Sequence, residues 1–431
     1  MIKNKVVRNA SWIIACKVVQ AVLGLIINMF TARYLGPSNF GTISYAASVV
    51  AFFVPVMQLG LSNILVQETI QHPEEEGKIF GSALTISFIG SLACIVGIAS
   101  FVAVANKGDT VTIAVCILYS VILIFQAFEL IQYWYQAKYL AKYSSVVSLC
   151  AYVVFSAYKI FLLVTQKSVY WFAVSYALDY LLIAAALLII YKKNGGQPLR
   201  FSWGIAKRMV SVSKYYIVSS LMVTVFAQTD KIMLTLMLDE AVTGYYSAAV
   251  ICAGMTSFVF GAIIDSARPA IFESQKSSKE AFEKNVSRLY CIIGYLSLAQ
   301  SLGMTVFARL VISILYGGDY YPAIPGLRLI VWYTTFSYFG SVRNIWILAE
   351  GKQKYLWIIN LSGALANVIL NAIMIPIWGL MGAAAASLIT QIFTNVIIGY
   401  IIKPIQRNNR LMIRGMNIVC IVREWKHKGV G

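Results

Sequence analysis

The chain has 431 residues, 59% of them hydrophobic and only 12% charged, and its mean hydropathy is +0.75. No water-soluble domain of this length hides so much apolar surface, which excludes soluble enzymes and soluble binding modules. The net charge of +18 is spread over many short polar breaks instead of one patch, which argues against a nucleic-acid partner.

A helix crosses the hydrocarbon core with about 20 apolar residues, and an open backbone finds no hydrogen-bond partners in lipid, so helices are expected throughout. Twelve spans are predicted, at 10–32, 41–65, 80–105, 111–136, 144–166, 168–191, 211–236, 241–265, 287–308, 325–348, 355–376 and 379–402. Span one carries Lys17, Gln20, Gly24, Asn28 and Thr31 at steps of three and four, a single polar stripe on a helix. Either Lys17 snorkels back to the headgroups or the stripe faces a wet cavity. Span four repeats the pattern with Gln126, Glu129, Tyr133 and Gln136. Amides, a carboxylate and aromatic rings suit a sugar; an interfacial aromatic belt with a helix-packing hydrogen bond accounts for the same residues.

Spans five and six hold Lys159 and Asp179 at depths that differ by about one turn. A buried salt bridge is feasible, and an unpaired Lys159 would attract phosphate. The stretch 192–210 is basic and contains Gly195, Gly196 and Pro198, which reads as a connector. In span seven, Asp230 and Lys231 point about 100° apart. One of them can face a cavity while the other pairs with a neighbour. Asp230, Glu129 and Asp179 are therefore the candidate carboxylates for coupling to an ion. Asp265 and Arg268 would anchor the inner end of span eight. Arg343 and Asn344 fall near the inner end of span ten. Asn360, Gly363, Asn367 and Asn371 make a stripe on span eleven, which Gln391 and Asn395 extend on span twelve. Asparagines in membranes often tie helices together, so packing competes with a polar path at these positions.

Most basic residues fall on one set of alternating loops, among them Lys3, Lys5, Arg8, Lys192, Lys193, Arg200, Lys276, Lys279, Lys352, Arg407 and Arg410. The positive-inside rule then places both termini in the cytoplasm. The predicted organisation is a six-helix bundle over 1–191, a cytoplasmic linker over 192–210, a second six-helix bundle over 211–402 and a basic tail over 403–431, near anionic headgroups. An internal repeat supports two like halves. Leu35, Gly41 and Ser44 recur as Leu238, Gly244 and Ser247, each displaced by 203 positions. Six spans separate the copies, so both halves run in the same sense, as in transporters with a path between parallel repeats.

Other chemistries find little support. The seven cysteines form no C-x-x-C pair and read as free thiols. The first apolar run is too long for a cleavable signal and lacks a small-residue cleavage site. No G-x-x-x-x-G-K-[ST] loop occurs, so an ATP-driven pump is unsupported. His72 and His427 sit in polar segments and suggest no metal site. The outer loops are too short for the catalytic domain of a membrane glycan polymerase.

Three markers carry a resemblance: Arg33-Tyr-Leu-Gly-Pro-Ser-Asn-Phe-Gly41; Thr229-Asp-Lys-Ile-Met-Leu234 with Thr243-Gly-Tyr-Tyr-Ser-Ala-Ala249; and Glu350-Gly-Lys-Gln-Lys354 followed by Asn360, Asn367, Asn371, Ile375-Pro376 and Gly379-Leu-Met-Gly-Ala-Ala-Ala-Ala386. With twelve spans, they make the chain resemble the polysaccharide-transporter family, specifically the Wzx-type O-antigen or capsule repeat-unit flippases, whose superfamily includes the MATE drug exporters and the lipid II flippase. The resemblance implies a MATE-like all-α fold in a bacterial inner membrane. It implies transfer of an undecaprenyl-pyrophosphate-linked oligosaccharide by alternating access, no enzymatic step and no cofactor, with a proton or sodium gradient as the energy source to consider. A glycan polymerase and glycosyltransferases are the partners it suggests. On that reading Lys17, Arg343, Lys159 and Lys231 are the cations for the pyrophosphate, and Gln20, Asn28, Gln126, Glu129, Tyr133, Asn367 and Asn371 are the glycan contacts. The alternative is a cation-coupled multidrug exporter of the same superfamily.

Overall fold

The computed structural model describes the backbone of residues 2–417 and side chains from Cys16 onward, except at 63, 214 and 215. Tail residues Arg423, Lys426 and Lys428 lie outside the described residues. The described residues form helices joined by short breaks, with no strand among them: α1 (Ile2–Gln58), α2 (Leu65–Gln71), α3 (Glu76–Ala105), α4 (Thr110–Ser120), α5 (Ile122–Glu129), α6 (Gln132–Ala137), α7 (Ala141–Val164), α8 (Val169–Lys193), α9 (Trp203–Met237), α10 (Glu240–Gly254), α11 (Ser257–Ser277), α12 (Lys279–Leu315), α13 (Ala323–Ala349), α14 (Leu356–Trp378), α15 (Leu380–Ile392), α16 (Ile398–Ile401) and α17 (Gln406–Met416).

Nine helical stretches among the described residues are long and apolar enough to cross a membrane, or ten if the bent pair α10–α11 counts as one span. One of the nine, Cys16–Gln58, runs 43 residues, and at 1.5 Å per residue that is roughly twice the thickness of the hydrocarbon core. Its backbone leaves the helical region at Gly36 (φ 72°, ψ 172°), just before Pro37. This is where the sequence places a turn between two spans, and a positive φ is a conformation that glycine adopts without strain. The helix α13, which corresponds to the tenth predicted span, carries Arg328 and Arg343 and falls outside the group of nine.

Span four is one unbroken run in the sequence but three helices in the structure. Ile124 bonds back to Val121, Ile131 to Phe128 and Tyr133 to Leu130. These three-residue returns are tighter than α-helical ones and bracket the segment that carries Gln126 and Glu129. At its outer end Asp109 caps α4, its carboxylate accepting from the amides of Val111 and Thr112 at 3.1 and 3.0 Å. Partial burial opposes the charge on Asp109, but the hydrogen bonds from Thr112 and Val111 outweigh it and hold the carboxyl below its ordinary range.

Contacts along the chain divide it into two compact units, Met1–Gly244 and Tyr245–Gly431. In the first, α1 packs on α3, α4, α7 and α9, and α8 packs on α4, α5 and α7. One apolar cluster gathers Tyr45, Val49, Ile98, Val115 and Phe172. Another gathers Leu61, Phe80, Trp134, Tyr191 and Met209. Trp134 stands edge-on to Tyr191, with centroids 4.9 Å apart, the geometry that aromatic quadrupoles favour.

The connector is a strap. Between the end of α8 and the start of α9 it lies across α3: Arg200 donates its amide to the Gly77 carbonyl at 3.1 Å, Gln197 donates to the Pro73 carbonyl at 3.1 Å and accepts from the Gly77 amide at 3.1 Å, and Ser202 donates its amide to Ser82 Oγ at 2.9 Å. The path is open because positions 77 and 81 are glycine; a β-carbon at Gly81 would overlap the Arg200 backbone. Arg208 then ties α9 to Glu68 (3.0 Å) and Glu75 (3.5 Å). Gly81→Val is expected to lift the strap and speed tryptic cleavage after Lys192, Lys193 or Arg200 at least about tenfold, since backbone released from a helix surface is what proteases cut. Unchanged cleavage kinetics in that variant would contradict the strap.

The repeat glycines meet inside this first unit. A β-carbon on Gly41 would overlap the Glu240 carbonyl, and one on Gly244 would overlap the Pro37 carbonyl. Residue 240 stands 203 positions after residue 37, the offset of the repeat. The two copies therefore touch reciprocally, as surfaces related by a local two-fold axis do, at the backbone separation that only glycine allows.

In the second unit α12 packs on α11, α13 and α17, and α15 on α13 and α14. Its core gathers Phe260, Tyr290, Ile293, Phe339 and Trp346. The first part of the expected tail is the docked helix α17: Leu411 and Met412 are buried, Tyr290 donates to Asn408 Oδ1 at 3.1 Å, and Arg407 pairs with Glu283 (2.7 Å) and Glu350 (3.5 Å).

Candidate functional site

A polar pocket of about 520 Å³ opens inside the first unit, within the range of small-ligand sites. The structure brings together six residues that the sequence singles out from four separate spans: Gln20 and Asn28 from α1, Gln126 and Glu129 from α5, Lys159 from α7 and Asp179 from α8. The stripe on span one is therefore real at two of its members, and the short segment α5 aims both of its polar residues at the same space.

The pair Lys159 and Asp179 is not a close salt bridge. Lys159 is 8% exposed, and its ammonium lies 3.7 Å from the centroid of the Tyr176 ring, a cation–π contact. Asp179 keeps one buried carboxylate oxygen, Oδ1, without a hydrogen-bond partner, and Gln126 keeps its amide oxygen, Oε1, in the same state. Both atoms are closed off from the pocket space, so two acceptors sit unsatisfied behind the wall, which is costly in a low-dielectric interior.

Among aliphatic side chains such as Val50 and Val54, four tyrosines also line it: Tyr119, Tyr152, Tyr176 and Tyr180. Sequence reasoning missed them. The signal was present as helical spacing, since Tyr119, Ile122, Gln126 and Glu129 step by three, four and three, and Tyr176, Asp179 and Tyr180 share a face of span six. Against a background rich in aromatic residues, with 26 tyrosines in the chain, that spacing does not stand out.

The remaining candidates lie elsewhere. Lys17 is exposed on α1 and is not part of the pocket wall. Tyr133 is half-buried on α6, beyond the break that ends α5. On α9, Asp230 is buried and Lys231 half-buried; their neighbours Thr229 and Ile232 line a separate apolar pocket of about 360 Å³ with Phe52, Phe53 and Phe101. Arg343, in the second unit, is 5% exposed. It donates to the Thr394 carbonyl and to Asn344 Oδ1. Thr394 belongs to a π-helical turn, Phe393–Ile397, where the widened backbone frees a carbonyl for a side-chain donor. Asn367 and Asn371 are fully buried; Asn371 donates to Asn367 Oδ1 at 3.1 Å, and Asn367 to Ser387 Oγ at 3.4 Å. That places them in the seam between α14 and α15. The six described cysteines are free thiols.

The profile of a family described as Polysaccharide biosynthesis protein matches residues 6–275. An uncharacterized membrane protein of Methanocaldococcus jannaschii is 24% identical over 230 residues, a match that covers 50% of this chain and 44% of that protein; the match thus spans less than half the length of that relative. Among solved structures, the lipid II flippase MurJ in an inward closed conformation superposes with a TM-score of 0.71 at 14% identity, covering 96% of this chain and 92% of the other. An inward-facing multidrug resistance MATE family transporter of the MOP superfamily gives 0.68 at 15% identity, covering 91% and 95%. The eukaryotic MATE transporter AtDTX14 gives 0.65 at 13% identity, covering 96% and 99%. At these identities the likeness is one of fold.

Proposed function

Because the chain belongs to the polysaccharide biosynthesis protein family, we propose that it is a flippase that carries a lipid-linked oligosaccharide across a bacterial inner membrane, with an undecaprenyl-pyrophosphate-linked repeat unit as the cargo. The observation that carries this reading is the pocket in the first unit, where amides, carboxylates and four tyrosines converge within apolar spans. Sugar hydroxyls hydrogen-bond to amides and carboxylates, and the C–H faces of sugar rings stack on aromatic ones. A pocket for a purely apolar cargo has no use for such groups, since each polar atom costs free energy to bury. The lipid tail stays in the bilayer, so the head group alone needs a polar path.

Transport would follow alternating access, with one six-helix bundle rocking against the other and a proton or sodium gradient supplying the bias. Asp230, Glu129 and Asp179 are the carboxylates proposed for that coupling, and Lys17 is the cation proposed to meet the diphosphate. No covalent step is required of the protein. Glycosyltransferases that build the repeat unit and a polymerase that consumes it would be its neighbours in the pathway.

A multidrug exporter remains the second reading, favoured by one observation: the pocket holds two carboxylates against one lysine, a balance that also suits an organic cation. Deletion of the gene separates the two. The flippase reading expects surface glycan to vanish and to return on complementation, with ethidium retention unchanged. Normal surface glycan together with at least a severalfold rise in ethidium retention would favour the exporter.

A further inference from the structure

The pocket in the first unit carries the wrong complement for a diphosphate. Its ionisable lining consists of Glu129, Lys159 and Asp179 besides the tyrosines, so carboxylates outnumber cations. The one ammonium is already spoken for, resting on the face of Tyr176 beside Asp179. The orphaned atoms point the same way: Asp179 Oδ1 and Gln126 Oε1 are both acceptors. A diphosphate offers oxygens that are themselves acceptors, and in a low-dielectric site it would be repelled by the two carboxylates. A sugar offers hydroxyl and amide donors to those oxygens and a C–H face to the rings.

We propose that this pocket is a saccharide subsite which takes an uncharged sugar residue of the cargo and excludes its diphosphate. The inference rests on the flippase reading and refines it. Gln126 and Asp179, whose buried oxygens lack partners, turn those oxygens into the pocket to accept from sugar hydroxyls. Tyr152 and Tyr180 provide ring faces. The diphosphate stays outside the pocket, toward Lys17, which lies one helical turn before Gln20 on the same stripe of α1. Lys159 is a positioning residue that holds Tyr176 and offsets part of the charge on Asp179.

The test uses the full-length protein in nanodiscs, with a thiol reporter at Ser148 in the pocket wall (Ser148→Cys, with Cys150→Ser; the Cys150→Ser parent serves as blank). Modification rates are measured for a cationic and an anionic methanethiosulfonate reagent, each normalised to a free thiol in solution. The cationic reagent is expected to react at least about fivefold faster. Adding Glu129→Gln and Asp179→Asn, which leaves Lys159 as the sole charge, is expected to reverse that preference. Saturating N,N′-diacetylchitobiose, maltose or lactose is expected to slow labelling for at least one of the three, and inorganic pyrophosphate to leave it unchanged. Faster reaction with the anionic reagent, protection by pyrophosphate, or no protection by any of the three sugars would each overturn the assignment. The charge sign of the pocket is read without any transport assay, so this result stands or falls separately from the flippase reading, which is judged on movement of the lipid-linked cargo.

Discussion

Lys159→Ala is expected to lower the stability of the purified protein by about 2 kcal/mol, the scale of a desolvated cation–π contact, and to reduce transport at least tenfold. The side chain is 8% exposed, rests on Tyr176 and is the only basic group in the pocket wall. Its removal leaves Glu129 and Asp179 facing the same space with nothing to offset them, and deprives Tyr176 of a cation–π contact that contributes about 2 kcal/mol when desolvated. The decisive comparison is the double variant Lys159→Met/Asp179→Leu. It removes the charges at 159 and 179 together and leaves Glu129 alone in the wall, so part of the lost stability should return. Transport should not return, because the acceptor at position 179 is gone. Denaturation in mild detergent reads the first quantity and surface glycan the second. A Lys159→Ala protein that loses transport at full stability would mean instead that the ammonium contacts the cargo directly.

Gly41→Leu and Gly244→Leu are expected to be the most damaging single substitutions in the first unit, leaving little or no folded protein in the membrane. At both positions the obstacle is backbone: the Glu240 carbonyl in one case and the Pro37 carbonyl in the other. A flexible side chain can turn away from an added β-carbon, whereas a helix backbone has to translate, and overpacking of that kind costs upward of about 1–3 kcal/mol even in forgiving sites. Gly204, by contrast, has open space within 4 Å of the point where a β-carbon would stand, so Gly204→Ala should be neutral or stabilising by up to about 1 kcal/mol through helix propensity. Size-exclusion profiles of fluorescently tagged variants measure all three. Monodisperse, normally abundant Gly41→Leu protein would refute the reciprocal crossing.

The membrane-spanning character and the helical class were legible because they depend on composition and run length, which survive any detail of packing. The turn at Gly36-Pro37 was legible for the same reason that it exists: glycine and proline are the residues a sharp change of direction needs. The repeat at an offset of 203 announced equivalent glycines, and the structure shows them in mutual contact. Polar stripes pointed to Gln20, Asn28, Gln126 and Glu129 because a charge or amide inside a span has to face something polar, and all four line one pocket. What the sequence could not supply was the company each polar residue keeps. Asn367 and Asn371 show the same helical periodicity as Gln126 and Glu129, yet they close on each other and on Ser387. Arg343 looks like a cavity cation from its position and instead serves a carbonyl in a π-helical turn. The strap over α3 was invisible because Gly77 and Gly81 read as ordinary small residues near the start of a span, and the grooves they create are only meaningful once 194–202 is seen lying in them.

The most direct measurement is reconstitution of the purified protein into liposomes that carry a fluorescent undecaprenyl-pyrophosphate-linked oligosaccharide, with leaflet exchange followed by lectin accessibility. Exchange at least tenfold faster than in protein-free liposomes, abolished by Asp179→Leu, is the predicted result. Exchange no faster than in the empty liposomes, in preparations that accumulate ethidium under an imposed proton or sodium gradient, would contradict the account and assign the pocket to organic cations.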